Sequence, residues 1–199
     1  MIDDAWLDLT LLLGGVRAGK SAKALSLAAS HRSGRRVLFV ATAQPLDDEM
    51  RRRIDNHRAE RSAEWETLES PTELARDITA RFAAAAEGFD VVIIDCLTLW
   101  VSNMLLAVGD GDDAEAAVTE RVRALLDSCR QLSRAARAQH RMAPRWIVVS
   151  NEVGFGVVPP TPLGRTYRDA LGRANQLVAA AADEVTLLVA GLEVPLKPR

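Results

Sequence analysis

The stretch Gly14-Gly15-Val16-Arg17-Ala18-Gly19-Lys20-Ser21 follows the apolar run Leu9–Leu13 and precedes a segment rich in Ala and Leu. Glycines let the chain turn tightly so that successive backbone N–H groups point into one hollow, and the N-terminus of a following helix adds partial positive charge. Between a strand and a helix, Gly-x4-Gly-Lys-Ser predicts a phosphate-binding loop, or P-loop. We expect Lys20 to reach the β- and γ-phosphates of a nucleoside triphosphate, and the Ser21 hydroxyl to coordinate Mg²⁺.

A second apolar run, Val91–Ile94, ends in the carboxylate of Asp95. P-loop enzymes present their other Mg²⁺-organising group in this way. Each pattern alone also has a purely structural interpretation, as a glycine-rich turn in the first case and as a strand-ending Asp in the second. Together they favour a nucleotide site in which Lys20 is catalytic and Ser21 and Asp95 are metal ligands.

Strand-like and helix-like segments alternate along the chain. The apolar runs of strand length are Leu9–Leu13, Val37–Val40, Val91–Ile94, Trp146–Val149 and Val185–Val189. Helix-like stretches cover roughly residues 20–31, 47–60, 71–87, 114–140 and 163–182. Because the apolar runs are nearly continuous, they are typical of strands in a mostly parallel sheet with helices on both faces. We therefore expect an α/β fold formed by one domain over residues 1–199.

Charge and hydropathy exclude several classes of function. The 199 residues include 25 basic and 27 acidic side chains, so no net charge attracts the chain to nucleic acid or an anionic membrane. No apolar run approaches the roughly 20 residues that a membrane helix needs, and the N-terminus does not resemble a secretory signal. We expect a cytoplasmic protein in which Cys96 and Cys129, far apart in the sequence, remain reduced thiols.

The segment 47–61 carries a histidine on a predicted helix, with acidic residues in the first turn and basic residues after them. Met50, Ile54 and His57 are spaced i, i+4 and i+7, which places the imidazole on the apolar stripe, facing the protein body. Most such stripes are core, so one interpretation of His57 is a partly buried, hydrogen-bonded histidine.

The other interpretation of His57 is a nucleophile that attacks phosphorus. Arg53, Arg58 and Arg61 surround it in the sequence. Guanidinium groups would offset the charge of an incoming triphosphate, and a neutral imidazole can form a covalent intermediate. Periodicity alone leaves both interpretations open.

Further motifs extend over almost the whole chain. They are Val40-Ala41-Thr42-Ala43-Gln44, Asp47-Asp48-Glu49-Met50, Arg53-Ile54, His57-Arg58, Trp65-Glu66-Thr67-Leu68-Glu69, Asp95-Cys96-Leu97-Thr98-Leu99-Trp100-Val101-Ser102-Asn103, Ser150-Asn151-Glu152-Val153-Gly154, Val157-Val158-Pro159, Arg165, Arg168-Asp169, Gly172-Arg173, Asn175-Gln176 and Ala182-Asp183-Glu184-Val185. With the P-loop, this set resembles the bifunctional adenosylcobinamide kinase/adenosylcobinamide-phosphate guanylyltransferase family of cobalamin biosynthesis. Only the P-loop is shared with other families.

This resemblance implies two reactions and a RecA-like sheet. A γ-phosphoryl group would pass from ATP or GTP to the hydroxyl of the aminopropanol arm of adenosylcobinamide. GMP would then pass from GTP to the new phosphate, through a guanylylated histidine at the position of His57. The resemblance also implies a homotrimer.

The resemblance also implies nucleotide contacts outside the P-loop. They match Ala41, Thr42, Ala43, Arg58, Ala59, Glu60, Arg61, Glu69 and Asp95, with Glu69 as the candidate acceptor for the guanine edge. The chain departs from the family pattern at Ala18, at Ser62 and in Gly191–Leu196. None of these departures touches the expected chemistry.

Three other functions compete with this interpretation. A P-loop small-molecule kinase without nucleotidyl transfer would need Asp95 but not His57. A GTP-binding switch is disfavoured because no Asn-Lys-x-Asp motif is present. A nucleic-acid motor is disfavoured by the mild net acidity.

Overall fold

The computed structural model describes residues 7–30, 36–108 and 113–198. The strands within these ranges are β1 (Leu9–Gly14), β2 (Val37–Ala41), β3 (Glu66–Glu69), β4 (Val91–Asp95), β5 (Arg145–Val149), β6 (Glu184–Val189) and β7 (Leu192–Lys197). The helices are α1 (Lys20–Ala29), α2 (Asp48–Ala59), α3 (Leu74–Ala84), α4 (Leu97–Val108), α5 (Ala114–Ala138) and α6 (Pro162–Ala181).

One sheet contains all of these strands, in the order β3-β2-β4-β5-β1-β6-β7. Strands β1 to β6 are parallel, and β7 is antiparallel to β6. This arrangement confirms the mostly parallel α/β sheet.

The strand order also fixes the position of the P-loop relative to Asp95. Because β5 lies between β1 and β4, the P-loop and Asp95 both lie at the carboxyl ends of the strands but two strand spacings, or about 10 Å, apart. Ligands of open parallel sheets bind at this carboxyl edge.

Two hydrophobic clusters explain why the strands are apolar on both sides. One contains alternate strand residues such as Leu11 and Ile94 and packs against α3, α4, α5 and α6. The other contains Leu12 and Ile93 and packs against α1. Helices therefore cover both faces, as predicted, with four on one face and α1 on the other.

Three elements were not predicted. β3 has only four residues at the sheet edge, and its side chains alternate between half-buried and exposed. β7 is exposed along its whole length and contains Pro195, which an edge strand tolerates. α4 begins two residues after β4 and is apolar over most of its length. Because its apolar residues do not recur with a clear helical period, the sequence does not distinguish α4 from a continuation of the apolar strand.

Cys96 and Cys129 are free, and both pack with the hydrophobic clusters. In the described ranges, no helix combines the length and hydropathy needed to cross a membrane.

Neighbouring leucines of α4 provide a test of the packing. Leu105 is 2% exposed in the core, whereas Leu106 is 61% exposed. Leu105→Ala should lower the free energy of unfolding by about 2–5 kcal/mol because it leaves a cavity, and Leu106→Ala should change it by less than about 0.5 kcal/mol. Urea denaturation followed by circular dichroism measures both, and equal losses would contradict the packing of α4.

Candidate functional site

The P-loop turns where two glycines adopt backbone conformations that other residues rarely adopt. Gly14 has φ of 152°, and a Cβ there would lie 2.5 Å from the carbonyl oxygen of Leu188 on β6. Gly19, with φ of 97°, directly precedes α1. The Lys20 Nζ donates a hydrogen bond to the Gly15 carbonyl at 2.6 Å, and burial lowers the pKa of Lys20. The lysine is therefore held across its own loop.

Ser21 and Asp95 are brought together although they belong to different elements. The Ser21 hydroxyl, in the first turn of α1, lies close enough to the Asp95 carboxylate at the end of β4 to lower the pKa of that carboxyl. Desolvation raises the pKa of Asp95, and the Ser21 hydroxyl together with the charges of Arg61 and Lys20 opposes the rise. A half-buried carboxylate close to several cationic side chains is typical of a functional site.

Ser21 and Asp95 supply two hard oxygen donors. Among the described residues, no group of three His, Cys, Asp or Glu side chains could hold a metal ion. Mg²⁺ commonly takes one or two protein oxygens and completes its shell with waters and substrate phosphates. The Ser21 and Asp95 pair fits this kind of site and does not fit an all-protein metal cage.

Thr42 connects the ends of β2 and β4 below the site. Its hydroxyl donates to the Cys96 carbonyl and accepts from the Cys96 N–H, both at 2.8 Å. Asn103 of α4 donates to the Thr42 carbonyl at 2.8 Å. Thr42 is fully buried, so its side chain supports the site from beneath.

Helix α2 carries His57 along one wall of the site. The Asp47 side chain caps the helix by accepting from the Met50 N–H at 2.6 Å, and α2 has no buried residue. The His57 side chain is 52% exposed, and its Nδ1 lies 3.4 Å from Glu60 Oε2. The histidine therefore faces solvent and the cavity, which Met50 and Ile54 of the same stripe also line.

Three arginines of this region have different environments. Arg53 pairs with Glu49 at 2.6 Å, and Arg58 pairs with Glu69. The guanidinium of Arg61 lies 3.6 Å from the centre of the Phe39 ring, burial lowers the pKa of Arg61, and its buried Nε has no hydrogen-bond partner among the described residues.

These elements enclose a cavity of about 490 Å³ at the carboxyl edge of the sheet. Its volume lies within the range of small-molecule sites, about 300–1,000 Å³. Many of the residues predicted from the sequence line it. They are Val16, Arg17, Lys20, Ser21, Ala41, Ala43, Arg53, His57, Arg58, Arg61, Glu69 and Asp95.

The other predicted residues lie outside the cavity wall. Gly14, Gly15, Ala18 and Gly19 form the P-loop backbone. Thr42 lies below the cavity, and Ala59 and Glu60 are exposed at the end of α2. The structure therefore brings the P-loop lysine and serine, the β4 carboxylate and the α2 histidine to one cavity, whose lining does not include these seven residues.

Several lining residues were not predicted as site residues. Thr98 and Leu99 come from the start of α4, and Asn151 lies two residues after the end of β5. The Asn151 N–H donates to the Thr98 hydroxyl at 2.7 Å. Their signal in the sequence was a polar residue after an apolar strand, but only the strand order shows that β5 ends between the P-loop and Asp95.

Solved structures with the same fold include an ATPase domain. The flagellar accessory protein FlaH from Methanocaldococcus jannaschii aligns with a TM-score of 0.53 and 13% identity, covering 96% of this chain and 78% of that chain. The ATPase domain aligns with a TM-score of 0.52 and 14% identity, over 91% of this chain and 69% of that one. At these identities the likeness establishes the fold alone.

The family model described as "Cobinamide kinase / cobinamide phosphate guanyltransferase" matches residues 10–196. The chain belongs to this family. It is 45% identical to the "Bifunctional adenosylcobalamin biosynthesis protein CobP" of Pseudomonas aeruginosa, covering 94% of this chain and 96% of that protein. It is 38% identical to the "Bifunctional adenosylcobalamin biosynthesis protein CobU" of Salmonella typhimurium, covering 95% and 99%.

Membership of the cobinamide kinase/guanyltransferase family confirms the resemblance found in the sequence motifs. The chain is therefore an enzyme of phosphoryl and guanylyl transfer. Its P-loop cavity is the part of the described structure in which a nucleotide-binding motif and a possible nucleophile meet.

Cys96 provides a chemical test of burial at this cavity. Burial, reinforced by the Asp95 carboxylate, raises the pKa of the Cys96 thiol to about 11. Because the thiolate is the reactive form, iodoacetamide should alkylate Cys96 slowly near pH ~8.5 in the folded protein and faster as the pH approaches ~11. In urea the midpoint should return to about 8.5. Mass spectrometry of the Cys96 peptide measures both, and a folded midpoint near the ordinary value would contradict the burial.

Proposed function

We propose that the chain phosphorylates adenosylcobinamide with ATP or GTP and then transfers GMP from GTP to the product through a guanylylated His57. The observation that carries this proposal is that His57 lines the same cavity as Lys20, Ser21 and Asp95. A kinase alone would need the last three residues and would not need a histidine in the wall. The product of both steps would be adenosyl-GDP-cobinamide.

In the kinase step, the acceptor hydroxyl oxygen attacks the γ-phosphorus and loses its proton to solvent, and the bond to the β–γ bridging oxygen breaks to release ADP or GDP. Lys20 leaves the Gly15 carbonyl to bind β- and γ-phosphate oxygens, while the P-loop N–H groups hold the β-phosphate. Ser21 and Asp95 would hold Mg²⁺, which supplies positive charge at the transferring group. The desolvated position of Asp95 strengthens its interaction with a cation.

In the guanylyl step, a ring nitrogen of His57 attacks the α-phosphorus of GTP and pyrophosphate leaves. An oxygen of adenosylcobinamide phosphate then attacks the same phosphorus, and the bond to the imidazole breaks. Since Nδ1 is the nitrogen near Glu60, we assign Nε2 as the nucleophile. Arg58 and Arg61 are the cations of the wall that would offset the phosphate charge.

Guanine recognition is assigned to Glu69. Its carboxylate ends β3 at the cavity wall and accepts a hydrogen bond from Arg58. A carboxylate can accept from both N–H groups on the guanine edge, whereas adenine lacks that pair of donors. Glu69 would therefore favour GTP in the second step and exchange its Arg58 contact for the base.

A homotrimer and a cytoplasmic location remain predictions from the sequence. The edge strand β7 is consistent with contact between copies of the chain, because Leu192, Val194 and Leu196 are exposed on it. Exposed apolar edge strands are usually covered in solution.

A labelling experiment tests the covalent step. Incubation with Mg²⁺ and GTP labelled at the α-phosphate should leave label on the denatured wild-type chain, lost in acid and stable in base as expected for a phosphorus–nitrogen bond. His57→Ala should abolish the label, because the nucleophile is removed. His140→Ala is the matched control and should label like wild type, since His140 follows α5 and lies outside the cavity.

His57→Ala should also separate the two reactions. Phosphorylation of adenosylcobinamide by ATP should continue at nearly the wild-type rate, while the guanylylated corrinoid should not form. Label on His57→Ala, or its absence from wild type, would exclude the covalent mechanism. Absence of label together with active phosphorylation would favour the small-molecule kinase.

Two lysines of α1 provide a test of the phosphate cradle. Lys20→Met should reduce both reactions by on the order of 10²-fold or more, because the cation at the β- and γ-phosphates is lost. Lys23→Met removes a lysine of the same helix that pairs with Glu193 at 2.6 Å, and it should retain both activities. Steady-state rates with ATP and GTP compare them, and similar losses in both variants would contradict the role of Lys20.

A further inference from the structure

The segment between β5 and α6, residues 150–161, exposes large apolar side chains beside the nucleotide cavity. Phe155 is 84% exposed and Val157 is 96% exposed. The segment is nevertheless tied at its far end, because Arg165 donates to the carbonyls of Pro159 and Pro160 at 3.1 and 3.0 Å. Thr161 caps α6 through Gly164. We refer to residues 150–161 as the β5–α6 loop.

The near end of the β5–α6 loop is fixed at the cavity. The Glu152 N–H donates to the Gly14 carbonyl of the P-loop at 3.2 Å, and Asn151 itself lines the cavity. Asn175 of α6 donates to the Asn151 carbonyl at 3.0 Å. Since β5 ends between β1 and β4, the loop leaves the sheet between the P-loop and Asp95, where the γ-phosphate would lie. An acceptor that approaches that phosphate from the β5 side would pass over this loop.

A polar depression of about 450 Å³ adjoins the same loop. Gly154 belongs to its wall, only three residues from Asn151, so the two positions are at most about 11 Å apart. The remaining wall residues come from α5 and α6 and carry both donors and acceptors. They are Glu115, Arg168, Asp169, Gly172, Arg173 and Gln176.

The polar groups of the depression partly pair with one another. Arg168 contacts Asp169 at 2.8 Å, and Arg173 donates to Gln176 at 3.2 Å. The depression has no excess of one charge, which suits neutral groups that both donate and accept, such as primary amides. At its floor, a Cβ added to Gly172 would meet nothing within 4 Å.

We propose that the β5–α6 loop and this depression form the docking surface for the corrin ring of the acceptor substrate. This inference rests on the proposed function. A corrin ring has a broad apolar face and a rim of primary amides, and its aminopropanol arm ends in the hydroxyl to be phosphorylated. Phe155 and Val157 contact the face, the α6 side chains bind the amides, and the arm extends past Asn151 to the γ-phosphate. A second copy of the chain seated here would obstruct that path.

Two substitutions test the docking surface, one by filling the polar depression and the other by removing an exposed apolar side chain. Gly172→Leu adds a side chain that fits the fold, since leucine also favours a helix more than glycine does, and it fills the depression. Phe155→Ser removes the exposed ring. The matched controls are Ala124→Leu, on the exposed side of α5, and Met142→Ser, at a residue that is 72% exposed and outside the loop and the depression.

Each substitution should weaken adenosylcobinamide binding about tenfold, the change that corresponds to about 1.4 kcal/mol. Equilibrium dialysis with adenosylcobinamide, read by its absorbance, measures binding, and initial rates yield the KM values. In both test variants the KM for adenosylcobinamide should rise similarly, while the KM for GTP and the rate of His57 guanylylation by GTP stay within about twofold of wild type. In both control variants, adenosylcobinamide binding and all of these constants should stay within about twofold of wild type.

Sedimentation velocity separates a substrate surface from a subunit interface. We expect Gly172→Leu and Phe155→Ser to keep the wild-type sedimentation coefficient. Wild-type corrinoid binding in both variants overturns the inference but leaves the proposed function intact, and a changed sedimentation coefficient with unchanged binding assigns the surface to a second copy. If Gly172→Leu does not fold, Phe155→Ser decides alone. Failure of the wild-type protein to bind adenosylcobinamide overturns both proposals.

Discussion

The Ser21 hydroxyl of the P-loop helix lies beside the half-buried carboxylate of Asp95 on β4, the strand two positions from β1 in the sheet. Desolvation raises the pKa of Asp95, so the charged form is costly, and the nearby charges of Arg61 and Lys20 offset part of that cost. The fold thus keeps a carboxylate where stability alone would favour a neutral side chain. A side chain that lowers the stability of the fold in this way is expected at a site that must bind a cation and phosphates.

Much of the fold was predictable because the strands are continuous apolar runs. All five expected strands are present, and the turn after β1 contains the predicted P-loop. The missed elements lacked the pattern that identified the others. β3 and β7 are edge strands, stabilised by pairing with one neighbour rather than by burial, and α4 is apolar without a clear period. The periodicity of apolar residues indicates which side of an element is buried. It does not identify β3, β7 and α4, because their conformation depends on the elements that they pair with or pack against.

The candidate site was predictable where chemistry is encoded by adjacent residues. Lys20 and Ser21 follow from the motif, and Asp95 from the strand that it ends. Asn151 and Thr98 were harder to place, because they reach the cavity only through the position of β5 between β1 and β4. Thr42 is marked by a motif, and the structure shows that its hydroxyl is hydrogen-bonded to the Cys96 backbone. The stripe of Met50, Ile54 and His57 left open whether the histidine is a core residue or a nucleophile; all three residues line the cavity, and α2 buries no residue.

In the proposed function, one phosphate cradle serves both transfers, because Lys20, Ser21, Asp95 and His57 line one cavity. Nucleotide stoichiometry tests it most directly. In equilibrium dialysis with Mg²⁺ and the β,γ-imido analogues of ATP and GTP, His57→Ala protein, which avoids covalent labelling, should bind one nucleotide per chain, and each analogue should displace the other competitively. Two nucleotides bound per chain, or failure of the ATP analogue to displace the GTP analogue, would contradict a shared cradle.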